Sequence, residues 1–209
     1  MKKKAIWISG IVILILCLMI GIGVMAESSF PFKKWGKTLN DYYQKKEEGL
    51  PYAVGKNGMI TIEEVKVAKS SYLLQGMDED EAEKLAADYC MKKEALYQKA
   101  LREGYSITDQ EVWDYVNELR AHVDEAINKD EMREIISQFD SEQDYWNFQF
   151  SLCKEELVSK KYVEQLRAVF ESENSFDNEE EHDAAWREYH NKLKEEVLKE
   201  ENFQIVKDK

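Results

Sequence analysis

The chain has 209 residues, with 29 Lys plus Arg against 42 Asp plus Glu and a formal net charge of −13. Its 44% hydrophobic share is enough for a core and excludes wholesale disorder, while only 9 Gly and 2 Pro point away from a loop-rich β-sandwich and toward long helices. So acidic a chain has no basic footprint to meet phosphates, which excludes nucleic acid as a partner. Three Cys are too few for a disulfide scaffold.

Lys2, Lys3 and Lys4 precede an uncharged, largely apolar run from Ala5 to Ala26. About 20 such residues span a bilayer as a helix, and flanking lysines stay on the cytoplasmic side. Two readings stand: a single-pass anchor through residues 5–26 with the N-terminus inside, or a secretory signal cleaved after Ala26, where Val24-Met25-Ala26 resembles a small-residue cleavage site. Cys17 lies mid-run in Ile15-Leu16-Cys17-Leu18, with no small residues before it, which argues against a lipoprotein signal. Both readings put the rest of the chain outside the cytoplasm. That part holds 26 basic and 42 acidic residues, so it is expected to stay dispersed and not to lie flat on an anionic membrane.

Residues 27–50 read as a tether. Glu27 to Lys37 holds Pro31 and Gly36 and lacks a period, and Thr38 to Glu48 reads as a short polar helix before Gly49. The domain proper is expected over 51–206. Tyr52-Ala53-Val54, Asn57-Gly58 and Met59-Ile60-Thr61 make a hairpin signal, because Asn and Gly both tolerate positive φ. Thr61 to Glu64 reads T-x-x-E, a capping box that opens a helix, and Ile62, Val65, Lys69 (by its stem), Tyr72 and Leu73 share one face of it.

From Glu81, Ala82, Leu85, Ala86, Tyr89, Leu96 and Ala100 keep the 3.6-residue period, with Gly104 where a left-handed C-terminal residue belongs. Thr108 to Glu111 is a second capping box. Val112, Tyr115, Val116, Leu119, Val123, Ala126 and Ile127 then form the cleanest stripe. Met132, Ile135, Ile136 and Phe139 make a shorter one. A long helix is expected from Tyr145 to about Glu171 and a last one around Trp186, Tyr189, Leu193 and Val197, ending near Asn202. Phe203 to Val206 is a short strand candidate. It is expected to pair with 52–54 or 59–61. The fold class is mainly α with a small β element.

This order of elements resembles the N-terminal domain of the SurA/PrsA family of extracytoplasmic foldases. The resemblance is carried by Ile60-Thr61-Ile62-Glu63-Glu64 after a strand and tight turn. It is also carried by Lys93-Glu94-Ala95-Leu96-Tyr97-Gln98-Lys99-Ala100 running into Glu103-Gly104-Tyr105-Ser106-Ile107-Thr108-Asp109-Gln110-Glu111-Val112. Asp144-Tyr145 with the long helix that follows, and the helix and strand from Trp186 to Val206, complete it. Family members often carry a parvulin prolyl isomerase between the long helix and the C-terminal helix. Here only the acidic Ser172 to Glu181 stands there, so the resemblance implies a chaperone without isomerase activity. It further implies a bacterial cell-membrane location and unfolded exported polypeptides as partners.

A holdase needs exposed apolar surface that adapts to many clients. Trp113 lies at the edge of its stripe, and Tyr145, Trp146 and Phe148 put aromatics on more than one helical face. These four are the candidate client contacts; the competing reading makes them core. Trp186 falls within its stripe and reads as core. His122, His182 and His190 lack metal-ligand spacing and read as solvated, so no metal and no cofactor is expected. Cys90 and Cys153 are open to a disulfide or to use as small core residues. No catalytic constellation emerges, which favours two non-enzymatic classes, a holdase or a module docking one folded envelope partner, over a prolyl isomerase, for which no segment supplies a site.

Overall fold

The computed structural model describes residues 30–45 and 49–206. The anchor or signal at 5–26 lies outside them, and so does Cys17. Among the described residues no helix is long and apolar enough to cross a membrane.

The first element departs from the expected tether. Helix α1 spans Phe32–Lys45, and Trp35, Leu39 and Tyr42 are buried at i, i+4 and i+7. Pro31 precedes it and accepts the first-turn hydrogen bond from Trp35 N at 3.0 Å, a position where a missing N–H costs nothing. Gly36 is a contact residue rather than a linker glycine: a Cβ there would stand 2.8 Å from both Cα and the carbonyl oxygen of Ile135. The two punctuating residues therefore build a helix that packs, and the folded unit begins ahead of residue 51.

Strands β1 (Pro51–Val54) and β2 (Met59–Thr61) form the hairpin, with Ala53 opposite Ile60 and Val54 opposite Met59. The Gly55–Gly58 turn is closed by Gly55 N donating to Gly58 O at 2.8 Å. The C-terminal strand β3 (Gln204–Ile205) adds antiparallel to β1, giving the order β2-β1-β3. The chain thus closes on itself through the first of the two partners expected for it.

Helix α2 (Ile62–Leu74) opens on the complete Thr61/Glu64 capping box and ends at Gly76 with φ +89°. Helix α3 (Glu79–Arg102) starts on Asp78 and stops before Gly104, φ +86°. Helix α4 (Asp109–His122) opens on the complete Thr108/Glu111 box. Its stripe ends earlier than the sequence predicts. The helix gives way to a 3-10 turn at Val123–Glu125, and Ile127, the last residue of the expected stripe, is fully exposed. Helix α5 (Lys129–Ile136) buries Met132 and Ile135. Helix α6 (Glu142–Glu173) and helix α7 (Glu179–Glu201) close the chain, α7 ending on Asn202 in the left-handed conformation, φ 51°.

The largest core gathers Trp35, Leu39, Val112, Val116, Ile135, Tyr145 and Phe148 from α1, α4, α5 and α6. A second lies under the sheet, from Ala53 and Ile60 to Ala86 and Cys90. A third joins Ala100, Val158 and Tyr162. Cys90 and Cys153 sit in different cores as free thiols, each pushed up to about 12 by burial. They pack as small apolar residues and make no disulfide.

Glu201 ties the ends together. Its side chain is 0% exposed, and its carboxylate accepts from Asn57 N at 2.9 Å, from Asn57 Nδ2 at 2.8 Å and from the Arg102 guanidinium. Its own carbonyl accepts from Lys56 N at 2.8 Å. The hairpin turn, the end of α3 and the end of α7 therefore meet on one carboxylate. Burial works to raise its pKa, but the Asn57 and Arg102 donors outweigh burial and hold it below the usual carboxylate value.

Candidate client-binding surface

Of the four aromatic residues expected to touch clients, three point inward. Tyr145, Trp146 and Phe148 are 1%, 3% and 0% exposed. The reason is the crowding at the start of α6. Phe148 packs on Tyr42 and Tyr43 of α1 at 6.1 and 6.0 Å between ring centroids, and on Phe139 at 5.5 Å. Tyr145 meets Phe139 edge-on at 5.2 Å. Trp146 Nε1 donates to Glu142 Oε1 at 2.9 Å, and the Arg120 guanidinium lies 5.8 Å from its ring. Aromatics on several faces here mean a helix covered on several sides, not an exposed one. These three are core residues with almost no surface to offer a client. Trp113 differs: it is half-buried, stacked on Phe150 at 4.6 Å and 25°.

The distal halves of α6 and α7 show the opposite environment. From Val163 to Glu196 no residue is buried. A helix of 32 residues is about 48 Å long at 1.5 Å per residue; Leu166 and Leu193 still pack on the third core, and the part of this stretch beyond them is an arm outside the cores. A group of aromatic rings holds its end together. Phe170 lies 5.7 Å from Phe176, 5.5 Å from Trp186 and 5.1 Å from Tyr189. Trp186 also stacks on Tyr189 and, nearly parallel at 6°, on His190. Trp186 is thus half-buried in a small exposed cluster rather than set in a core.

The rim of this cluster is charged. The Arg167 guanidinium lies 5.6 Å from the Trp186 ring and donates to Glu171 at 2.8 Å. His182 is clasped, with Nε2 3.0 Å from Glu171 and Nδ1 3.1 Å from Asp183, and its ring meets Phe176 edge-on. His190 Nε2 is buried with no partner, and burial together with the Lys194 charge lowers its pKa. Two of the three histidines read as solvated therefore belong to the arm. His122 is exposed, its Nδ1 2.7 Å from the Glu118 carbonyl oxygen. Between Val163 and Glu196 stand eleven acidic and four basic side chains, which keep neighbouring arms apart.

A second exposed apolar surface surrounds the sheet. Leu50, Val54, Met59, Ile205 and Val206 are all exposed there, on the short strands or one residue beyond their ends. No group of three His, Cys, Asp or Glu among the described residues is arranged to hold a metal ion.

Sequence reasoning missed the arm as a site. Its signal was present as four aromatics in and around the acidic break, Phe170 before it, Phe176 within it and Trp186 and Tyr189 after. Comparison with known proteins adds no relative: no family model, no curated protein and no solved structure matches the chain.

Proposed function

We propose that this protein is an extracytoplasmic holdase of the SurA/PrsA N-domain type. It is tethered through residues 5–26 or released after Ala26, and it binds unfolded exported polypeptides without isomerase chemistry. The observation that supports it best is the arm. Phe170, Phe176, Trp186 and Tyr189 are clustered, half-exposed, outside every core and ringed by acidic residues. Such a surface offers adaptable apolar contact to a client, while like charge keeps two copies from joining by the same surface. Trp113 with Phe150 adds a smaller contact nearer the body.

The test is light scattering of several unrelated unfolded polypeptides with and without the 27–209 fragment. Suppression near stoichiometric ratio across clients supports the proposal; no effect on any of them overturns it. A second reading rests on a different surface. The exposed residues around the sheet are held rigidly, which suits one folded envelope partner better than many unfolded ones. That reading predicts one saturable partner in crosslinking from intact membranes, and no general affinity for unfolded chains.

A further inference from the structure

A cleft of about 450 Å³, counting the solvent at its mouth, opens where α1, α2, α3 and α6 meet. Its walls are the rings of Tyr42 and Tyr89 and the aliphatic chains of Val67 and Leu152. Its polar groups are Glu64, Lys93 and Glu94. The lysine is already answered from outside the lining, since Lys93 Nζ donates to Glu155 Oε2 at 3.2 Å.

The two carboxylates of the lining are each half engaged. Glu64 Oε2 accepts from Thr61 N and Thr61 Oγ1, both at 2.7 Å, which leaves Oε1 without a hydrogen bond among the described residues. Glu94 Oε1 accepts from Gln98 Nε2 at 2.9 Å, which leaves Oε2 in the same condition. The hairpin turn presses on Glu94: a Cβ on Gly58 would meet its side chain. Burial accordingly raises the Glu94 pKa, with the nearby Glu155 and Glu64 charges adding to the rise against Gln98 and Lys93.

Tyr42 lines the cleft and keeps only 8% of its surface exposed; its hydroxyl, without a hydrogen-bond partner among the described residues, is not one of the fully buried unpaired atoms and so opens to the cleft. Burial, then the Glu64 charge, pushes its pKa up. A cavity with aromatic walls and free anionic acceptors has the character of a site for an organic cation.

We propose that this cleft binds an aliphatic ammonium ion, its carbon chain between Val67, Leu152 and the tyrosine rings, its three N–H groups donating to Glu64 Oε1, Glu94 Oε2 and the Tyr42 hydroxyl. The acceptors match an ammonium in number. An anion meets two carboxylates against one ammonium, Lys93, already paired with Glu155, and is repelled, and a neutral amide or alcohol gains nothing from the charge. The site lies apart from the arm and does not depend on the holdase reading.

The experiment uses the full chain in lipid nanodiscs, with methyl NMR signals of Val67 and Leu152 as reporters. The probe is n-butylammonium chloride, with n-butanol and sodium butyrate as isosteric controls. The ammonium is expected to shift both methyl signals saturably, at an affinity about tenfold or more above the alcohol, with no saturable shift from butyrate. Glu94→Gln is expected to weaken binding about fivefold or more. Should that variant lose its fold, Tyr42→Phe removes only the hydroxyl and is expected to weaken binding about two- to fivefold. Equal shifts from ammonium and alcohol, no saturable shift with any probe, or unchanged affinity in a folded Glu94→Gln would each overturn the proposal. An N-acetyl-lysine methylamide arm and a putrescine arm separate the two sources of such a cation. Stronger binding of the first assigns a polypeptide side chain, and of the second a free amine.

Discussion

Replacing Glu201 by Ala is the sharpest test of how the two ends of the domain are joined. The change removes three hydrogen bonds to one carboxylate, two from Asn57 and one from Arg102, and leaves a hole under the hairpin turn. Removing one partner of a buried, charge-assisted set costs about 3–5 kcal/mol when the other partner is trapped. Here the other partners are not trapped: the Arg102 side chain is 34% exposed and Asn57 is exposed, so water takes over their donors. That reduces the expected loss to about 2–3 kcal/mol, made of the lost bonds and the vacated volume. Glu201→Gln keeps the shape and loses the charge, at about 1 kcal/mol.

The assay for this change is urea unfolding followed by tryptophan fluorescence, since Trp35 and Trp146 sit in the core and report its loss. Amide exchange at Asn57 should accelerate first, because its N–H bonds to the Glu201 carboxylate that the change removes. The pH dependence follows in sign. The carboxyl's folded-state pKa is depressed, so its contribution is present above the unfolded carboxylate value and is lost as pH falls through the folded one. A Glu201→Ala midpoint corresponding to less than about 0.5 kcal/mol of destabilisation would refute the reasoning.

Three further outcomes are expected. Gly36→Ala should destabilise by about 1–3 kcal/mol in the same assay, since the new methyl meets Ile135 backbone atoms that cannot swing away; a neutral result would mean α1 is not packed on α5. By NMR titration the Glu111 carboxyl should titrate at about 2, lowered by the Lys161 ammonium and then by the Thr108 donors, and Lys161→Met should raise it. His190 should titrate below its ordinary value through burial and the Lys194 charge, and Lys194→Gln should bring it back up. Being depressed, it favours the folded arm above about pH 6.5 and opposes it as pH falls through the folded value. Lower amide protection factors around Trp186 at pH 5 than at pH 7.5, after correction for the intrinsic pH dependence of exchange, are the check.

Local chemistry made much of the fold readable. Two T-x-x-E boxes, Gly76, Gly104 and Asn202 sit at helix ends because caps and left-handed residues act within a few residues of chain. That the C-terminal strand would join the N-terminal hairpin was also legible, while the choice of β1 over β2 was not. The α1 helix was not. Trp35, Leu39 and Tyr42 make a narrow stripe in a polar segment, and Pro31 with Gly36 imitates a linker until Ile135 arrives against the glycine.

The misplaced aromatics have one physical cause. Periodicity tells which residues share a face, not how many faces a neighbouring element covers. At the start of α6, α1, α4 and α5 cover several faces, so Tyr145, Trp146 and Phe148 are core. Past Leu166 and before Leu193, which still pack on the third core, no core covers the two helices, so an equally aromatic stripe at Trp186 and Tyr189 stays half in water. The cleft around Glu94 was equally out of reach, because its walls come from helices separated widely in the chain.

The most direct measurement places a photo-crosslinking residue at Tyr189 in the full chain expressed in cells, and in parallel at Met59 beside the sheet. The holdase account predicts that Tyr189 captures many unrelated exported polypeptides before they fold, and that Met59 captures few. Capture of a single folded protein at Met59, with none at Tyr189, would contradict it.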